Sequence, residues 1–201
     1  VKTDQTAFSA RMLHAGVLKS NKGLAVPGAR LSAPALSKKD KKDLIFAVRQ
    51  GVDFVALSFV RSARDIRELR KNLIRLNSHA GIIAKIERHE ALGCLDEIIE
   101  ASDGIMVARG DLGIDTPAAA VPILQKKIIS HCIALGKPVI VATQMLQSMI
   151  ENPSATRAEI SDAANAIFDR ADALMLSNET AVGAYPVQAT KTLSQTAAAA
   201  E

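Results

Sequence analysis

The sequence predicts an α/β fold in which parallel strands are covered by helices on both faces. Five short apolar segments alternate with longer segments whose apolar residues recur at helical spacing. Hydrophobic residues make up 48% of the chain, but only 3% of the residues are aromatic and none is Trp, so the core must be aliphatic. Aliphatic cores are typical of parallel sheets that are buried on both faces.

Charge and cysteine content narrow the function classes. The net charge of +4 comes from Lys and Arg spread along the predicted helices, without a basic cluster or interleaved aromatic residues, so nucleic-acid binding is not indicated. No apolar segment has the length of a membrane span, and no signal peptide is visible. Cys94 and Cys132 lie within helical apolar patterns and lack metal-ligand spacing, so we interpret them as reduced core residues of a cytoplasmic protein.

Residues 1–30 differ in composition from the rest of the chain. The polar, turn-rich segment 17–23 is followed by Pro27-Gly28, and we interpret this region as the tail of another domain. A regular alternation of strand and helix patterns then fills residues 31–201, which we predict to be the main domain. The chain begins with Val1 rather than Met, which suggests a processed or partial polypeptide.

Capping patterns and apolar runs define the predicted elements. Three Ser or Thr residues are each followed three positions later by an acidic residue, as in a capping box: Ser37 with Asp40, Ser62 with Asp65 and Thr156 with Glu159. Pro122 and Pro186 suit first helical turns, and Gly136 suits a helix end. The predicted strands are 54–59, 82–86, 104–108, 138–142 and 173–176, each followed by a helix.

Polar side chains lie at or just after the carboxyl ends of these strands, where a (β/α)₈ barrel keeps its active site. They are Ser58, Lys85, Glu87, Asp111, Thr143 and Glu179. Five strands cannot close a barrel, and no Gly-x-Gly-x-x-Gly follows any strand to support a doubly wound open sheet. We therefore expect that strands of a barrel are missing.

Residues 82–111 carry the strongest chemical signal. Lys85 and Glu87 are two positions apart at a strand end, so both side chains face the same side of the sheet. Gly110 allows the backbone to approach a ligand closely, and Asp111 adds a second carboxylate. These groups suit Mg²⁺ and a phosphorylated acid. A strand-end salt bridge and an ordinary turn aspartate are the alternative interpretation.

Seven segments, in this order, resemble the pyruvate kinase family, and the resemblance covers residues 18–201. The segments are LKSNKG (18–23), GVDFVALSFVR (51–61), IAKIE (83–87), SDGIMVARGDLG (102–113), PVIVATQML (138–146), PSATRAE (153–159) and ALMLSNETA (173–181). The resemblance implies a (β/α)₈ TIM barrel of which the later five βα units, strands four to eight, are present. It also implies that residues 1–30 are the remnant of an inserted β lid domain.

The resemblance implies a cytoplasmic enzyme that transfers a phosphoryl group from phosphoenolpyruvate to ADP, giving pyruvate and ATP. Mg²⁺ or Mn²⁺ and K⁺ would be the cofactors, and the K⁺ ligands are expected in strands without a counterpart here. Intact members of the family are usually homotetramers.

The same resemblance assigns roles to individual residues. Glu87 and Asp111 would hold the divalent metal, and Lys85 would lie beside the phosphoryl group in transit. The amides of Gly110 and Asp111, with the Thr143 hydroxyl, would receive the substrate carboxylate. Thr143 would also lie near the site where the enolate carbon is protonated. Two further residues have peripheral roles: Ser58 would line the mouth of the site, and Lys22 would contact the nucleotide phosphates.

Several alternatives stay open at this stage. Arg109 is either a substrate neighbour or a structural partner of Glu179, and Glu159 is expected to cap a helix rather than to act in catalysis. Another barrel enzyme that forms a metal enolate from phosphoenolpyruvate or pyruvate, such as a lyase or aldolase, would share Glu87 and Asp111 but would not need Lys22. A non-catalytic fragment that folds only against a partner carrying the missing strands is the second alternative.

Overall fold

The computed structural model describes residues 2–3, 8–9, 11, 16–17, 20 and 34–201. Two short strands, β1 (Lys2–Thr3) and β2 (Phe8–Ser9), pair in antiparallel fashion near the amino terminus. Lys22, predicted to contact nucleotide phosphates, lies outside the described residues, as does most of the predicted lid remnant. The division into residues 1–30 and 31–201 therefore stays a prediction.

The main sheet has five parallel strands whose spatial order is their order in the chain. They are β3 (Phe54–Leu57), β4 (Gly81–Ile86), β5 (Gly104–Ala108), β6 (Val139–Ala142) and β7 (Ala173–Met175). A doubly wound sheet would reverse its strand order at a switch point, whereas consecutive strands of a barrel do not. The α/β prediction is confirmed, and the order fits part of a (β/α)₈ barrel.

Helices precede, connect and follow the strands of this sheet. They are α1 (Lys38–Arg49), α2 (Ala63–Arg75), α3 (Leu95–Ala101), α4 (Arg109–Asp115), α5 (Val121–Ala134), α6 (Arg157–Phe168), α7 (Asn178–Ala181) and α8 (Pro186–Ala200). Short 3₁₀ turns cover His89–Cys94, Ala118–Ala120 and Gln147–Ile150. Within the described part of the chain, no helix is long and apolar enough to cross a bilayer.

Two of the three predicted capping boxes form. Ser37 and Thr156 each accept the backbone N–H three residues later, and the acidic partner binds the cap amide in return. The prediction at Ser62 is wrong, because its side chain makes no cap hydrogen bond. Asp65 instead accepts the Arg61 N–H at 3.0 Å and pairs with the Arg61 guanidinium at 3.2 Å. The cation next to the cap thus takes the carboxylate that a capping box would need.

The core lies between the sheet and the helices, and burial falls from the centre of the sheet to its edges. All five residues of β5 are buried. Strand β3 pairs only with β4 and β7 only with β6 among the described strands. Phe54 on β3 is accordingly 57% exposed. The exposed edge strands agree with the expectation that a closed barrel would need more strands than these five.

Candidate active site

Lys85, Glu87 and Ser58 meet at the carboxyl edge of the sheet. The Lys85 ammonium donates to the Ser58 hydroxyl at 2.8 Å and lies 2.6 Å from Glu87 Oε1. The strand pleat thus places Lys85 and Glu87 on one side, as the sequence predicted. Because the Lys85 side chain keeps 24% of its surface exposed, a ligand at this edge can reach the ammonium.

Glu87 is a buried carboxylate whose two oxygens have different surroundings. The side chain is 1% exposed. Its Oε2 accepts the N–H of Phe59 at 2.6 Å. Its Oε1 lies 2.6 Å from the Lys85 ammonium, which compensates the buried negative charge. A bound divalent cation would share this oxygen with the Lys85 ammonium, and carboxylate oxygens are the ligands that Mg²⁺ prefers.

Asp111 is the second carboxylate predicted to bind metal. No helix was predicted for the segment that carries it, and a turn was the alternative interpretation, but the segment forms the short helix α4, with Asp111 half-buried in its first turn. Among the described residues, no group of three or more His, Cys, Asp or Glu side chains is placed to hold a metal ion. Two carboxylates with open positions for substrate and water are nevertheless a usual arrangement for Mg²⁺, so Glu87 and Asp111 fit that ion.

Thr143 and Gly110 are brought together, as predicted. The Thr143 hydroxyl accepts the Gly110 N–H at 2.8 Å and donates to the Ala142 carbonyl at 2.6 Å. Thr143 and Gln144 both have positive φ, 70° and 54°, which non-glycine residues rarely adopt. Such conformations persist only where surrounding contacts hold them, and they concentrate at functional sites. A substrate carboxylate would have to displace Thr143 from the Gly110 amide.

Arg109 supplies the contacts that hold this left-handed turn. Its guanidinium donates to the Thr143 carbonyl at 3.0 and 3.1 Å and to the Gln144 carbonyl at 2.9 Å. It also pairs with Asp162 of α6 at 2.6 Å. Of the two alternatives left open for Arg109, the pairing with Glu179 is wrong, because Asp162 occupies that role. Glu179, fully buried, instead accepts the N–H groups of Leu146 at 3.1 Å and Ser177 at 2.9 Å.

Glu159 is a structural residue, as expected. One carboxylate oxygen accepts the Thr156 N–H at 2.8 Å, and the other accepts the Ser148 N–H at 2.6 Å. Burial raises the pKa of Glu159, but the hydrogen bonds from Ser148 and Thr156 outweigh burial and lower the pKa overall. Glu159 therefore caps α6 and also ties the loop after β6 to that helix, a second contact that the capping pattern did not indicate.

Three contacts around the site were missed at the sequence level because each joins distant parts of the chain. They are the Phe59 N–H on Glu87, the Asp162 carboxylate on Arg109, and the contact of Asp115 with Arg88 and His89. Only Asp115 had a local signal, since it follows Asp111 by four residues, the spacing of one helical turn. This spacing did not lead to a predicted helix, because Gly110 and Gly113 lower the helical propensity of the segment.

Comparison with known proteins places the chain in a family. The family model described as "Pyruvate kinase, barrel domain" matches residues 1–190. The chain is 56% identical to the pyruvate kinase of Geobacillus stearothermophilus, over 92% of this chain and 32% of that protein. It is 50% identical to the pyruvate kinase of Bacillus licheniformis, over 100% of this chain and 34% of that protein. It is 53% identical to pyruvate kinase 2 of Synechocystis sp., over 94% of this chain and 32% of that protein. The chain thus spans about a third of the length of the curated relatives it matches.

Proposed function

The chain belongs to the pyruvate kinase family, and from that premise we propose that the protein transfers the phosphoryl group of phosphoenolpyruvate to ADP. A β-phosphate oxygen of ADP attacks phosphorus, and the bond between phosphorus and the enol oxygen breaks. The enolate carbon then takes up a proton, which gives pyruvate. The observation that carries the proposal is the junction of Lys85, Glu87 and Ser58 at the carboxyl edge of the sheet.

Lys85 is the proposed source of fixed positive charge. Phosphoryl transfer depends mainly on positioning and on electrostatic stabilisation of the transferring group. The ammonium has two fixed neighbours, the Ser58 hydroxyl and the Glu87 carboxylate, so its position is set before a ligand arrives. Its side chain stays 24% exposed at this edge, which supports a contact with the phosphoryl oxygens.

Glu87 and Asp111 are the proposed ligands of a divalent metal. Pyruvate kinases generally use Mg²⁺ and K⁺, and Mn²⁺ is a useful substitute for Mg²⁺. When bound, the divalent ion would supply positive charge next to the phosphoryl group. The buried Glu87 Oε1 already faces one cation, the Lys85 ammonium, which supports its part in this site. We assign K⁺ no ligand among residues 34–201.

Thr143 is proposed to position the substrate and to direct its protonation. Its hydroxyl is held between the Gly110 N–H and the Ala142 carbonyl, so it points at the first turn of α4. The amides of Gly110 and Asp111 would bind the substrate carboxylate after Thr143 is displaced from Gly110. A water on the Thr143 hydroxyl would then deliver the proton to the enolate carbon.

The remaining roles rest on family membership alone. Lys22 is proposed to contact the phosphates of ADP, and K⁺ is proposed to act as the monovalent cofactor. We also propose that the protein acts in the cytoplasm as a homotetramer.

The test is the variant Lys85→Met in the full-length protein that carries this sequence. Loss of one preorganised donor at a site of developing charge typically lowers kcat by about 10²- to 10³-fold. We expect a loss of that size in pyruvate formation, while Mn²⁺ binding is retained. Asp111→Ala should instead weaken Mn²⁺ binding. Normal turnover by Lys85→Met would refute the assigned role.

Two controls separate the alternatives. The first control is Lys126→Met. Lys126 also forms an ion pair, with Asp169, but it lies on α5 and has no proposed role in the site, so the turnover of this variant should match that of the wild type. Pyruvate release that does not require ADP would favour a lyase or aldolase. The 201-residue polypeptide should be assayed beside the full-length protein. If the polypeptide forms no pyruvate while the full-length protein does, the site needs further segments.

A further inference from the structure

Asp115, the last residue of α4, contacts the loop that follows β4. Its Oδ2 accepts the N–H of His89 at 2.7 Å and lies 3.4 Å from Nε of Arg88. The Arg88 and Asp115 side chains are only 14% and 10% exposed, so water screens this ion pair weakly. One carboxylate therefore binds two consecutive residues of a distant segment.

This contact joins the segments that carry the two proposed metal ligands. Glu87 directly precedes Arg88, and Asp111 lies one helical turn before Asp115 on the same face of α4. One connection between the two ligands thus runs through the Asp115 carboxylate. Few residues separate Asp115 from either ligand, so movement of the loop relative to α4 would change the spacing of the ligands.

The sheet itself does not fix that spacing. The ladder between β4 and β5 ends at the pair Ile86 and Val107. Glu87 and Asp111 both lie beyond this last pair. The Phe59 N–H orients Glu87 from the side of β3, and the Thr143 hydroxyl holds α4 from the side of β6. The Asp115 contact lies between these two constraints and connects the loop with α4 directly.

We propose that Asp115 is a positioning residue that sets the separation of the Glu87 and Asp111 carboxylates for a divalent ion. The inference rests on the proposed function, since it assumes that these two residues bind metal. Residues that orient metal ligands without touching the metal commonly affect metal affinity by about 10- to 100-fold.

The experiment measures Mn²⁺ binding to the full-length protein, without substrates, by electron paramagnetic resonance of free Mn²⁺. Asp115→Ala removes both contacts and should weaken Mn²⁺ binding by about 10- to 100-fold. Asp115→Asn keeps an oxygen for the His89 N–H but loses the charge, so it should fall between Asp115→Ala and the wild type. If Asp115→Ala does not fold, the affinity of Asp115→Asn for Mn²⁺ still tests the proposal.

Asp103 offers a matched control at the opposite end of β4. Its carboxylate also accepts a backbone N–H, that of Ile82 at 2.6 Å, and also pairs with an arginine, Arg70, at 2.6 Å. Asp103→Ala removes the same kinds of contact far from the carboxyl edge and should leave Mn²⁺ affinity unchanged. An equal loss of affinity in Asp103→Ala would show that general loosening is responsible and would overturn the inference.

Glu87→Gln and Asp111→Asn separate the test of the proposed metal site from the test of the positioning role of Asp115. Wild-type affinity in both Asp115 variants, with weak binding in Glu87→Gln and Asp111→Asn, would overturn the positioning role alone. Unchanged Mn²⁺ affinity in Glu87→Gln and Asp111→Asn would overturn the metal site, and the role of Asp115 with it.

Discussion

Replacement of Arg109 by Met tests whether this arginine holds the turn after β6 or contacts the substrate. Met keeps much of the side-chain stem but removes every guanidinium hydrogen bond. The variant leaves the Thr143 carbonyl without the two N–H groups that now bind it at 3.0 and 3.1 Å. It also removes the ion pair with Asp162.

The contacts of Arg109 contribute unequally to the expected decrease in the free energy of unfolding. A hydrogen bond that involves a charged group contributes about 1.5 to 3 kcal/mol, and this value applies to the half-buried Thr143 carbonyl. The Asp162 side chain is 42% exposed, so water can replace its partner and the ion pair contributes at most about 1 kcal/mol. Gln144 is exposed, and water can likewise bind its carbonyl. The expected loss in the free energy of unfolding is therefore about 2 to 4 kcal/mol.

Guanidinium unfolding of the full-length protein, followed by circular dichroism, measures this loss. Turnover should fall as well, because the Thr143 hydroxyl depends on the backbone that Arg109 holds, while the KM for ADP should not change. Asp162→Asn is the matched control and should cost no more than about 1 kcal/mol. Wild-type stability of Arg109→Met with a raised KM for phosphoenolpyruvate would refute the structural role and make Arg109 a substrate neighbour.

Two further predictions concern titratable groups. The hydrogen bonds on Glu159 lower its pKa below the ordinary value of 4.5, so its contribution to stability is present above that pH and is lost as the pH falls through the lowered value. Unfolding measured between about pH 3 and about pH 7 should therefore show Glu159→Gln less stable than the wild type at neutral pH, with the gap closing in acid. A constant gap would contradict this. Burial, with a smaller effect of Asp172, raises the pKa of Cys132 to about 12, so a disulfide reagent at pH 8 should not modify it until the protein unfolds. Rapid labelling of Cys132 in the folded protein would show that α5 opens readily.

The sequence allowed most of the fold to be predicted, because its signals there are local. Each of the five strands is a short apolar run, and the bounds of all five lie within about two residues of the predicted ones. The capping boxes at Ser37 and Thr156 formed because their acidic partners keep the bond to the cap amide, even though Glu159 also accepts the Ser148 N–H. At Ser62 the neighbouring Arg61 does compete, and the prediction failed there.

The candidate site was only partly predictable, for a physical reason. Strand alternation was enough to place Lys85 beside Glu87, because the pleat has a fixed period. The partner of Arg109 lies on another helix, α6, and no periodicity connects the two. The helix α4 was missed because two glycines lowered its helical propensity, although contacts with Thr143 and His89 hold it in place.

The order of the strands in the sheet also bears on how the chain folds. Each strand pairs only with neighbours in the sequence, so paired residues such as Ala84 and Ile105 lie roughly 20 to 35 positions apart throughout the sheet. Loop-closure entropy depends only weakly on length, so every pairing step carries a similar entropic cost. Loop-closure entropy therefore does not single out one βα unit of this sheet as the place where strand pairing begins.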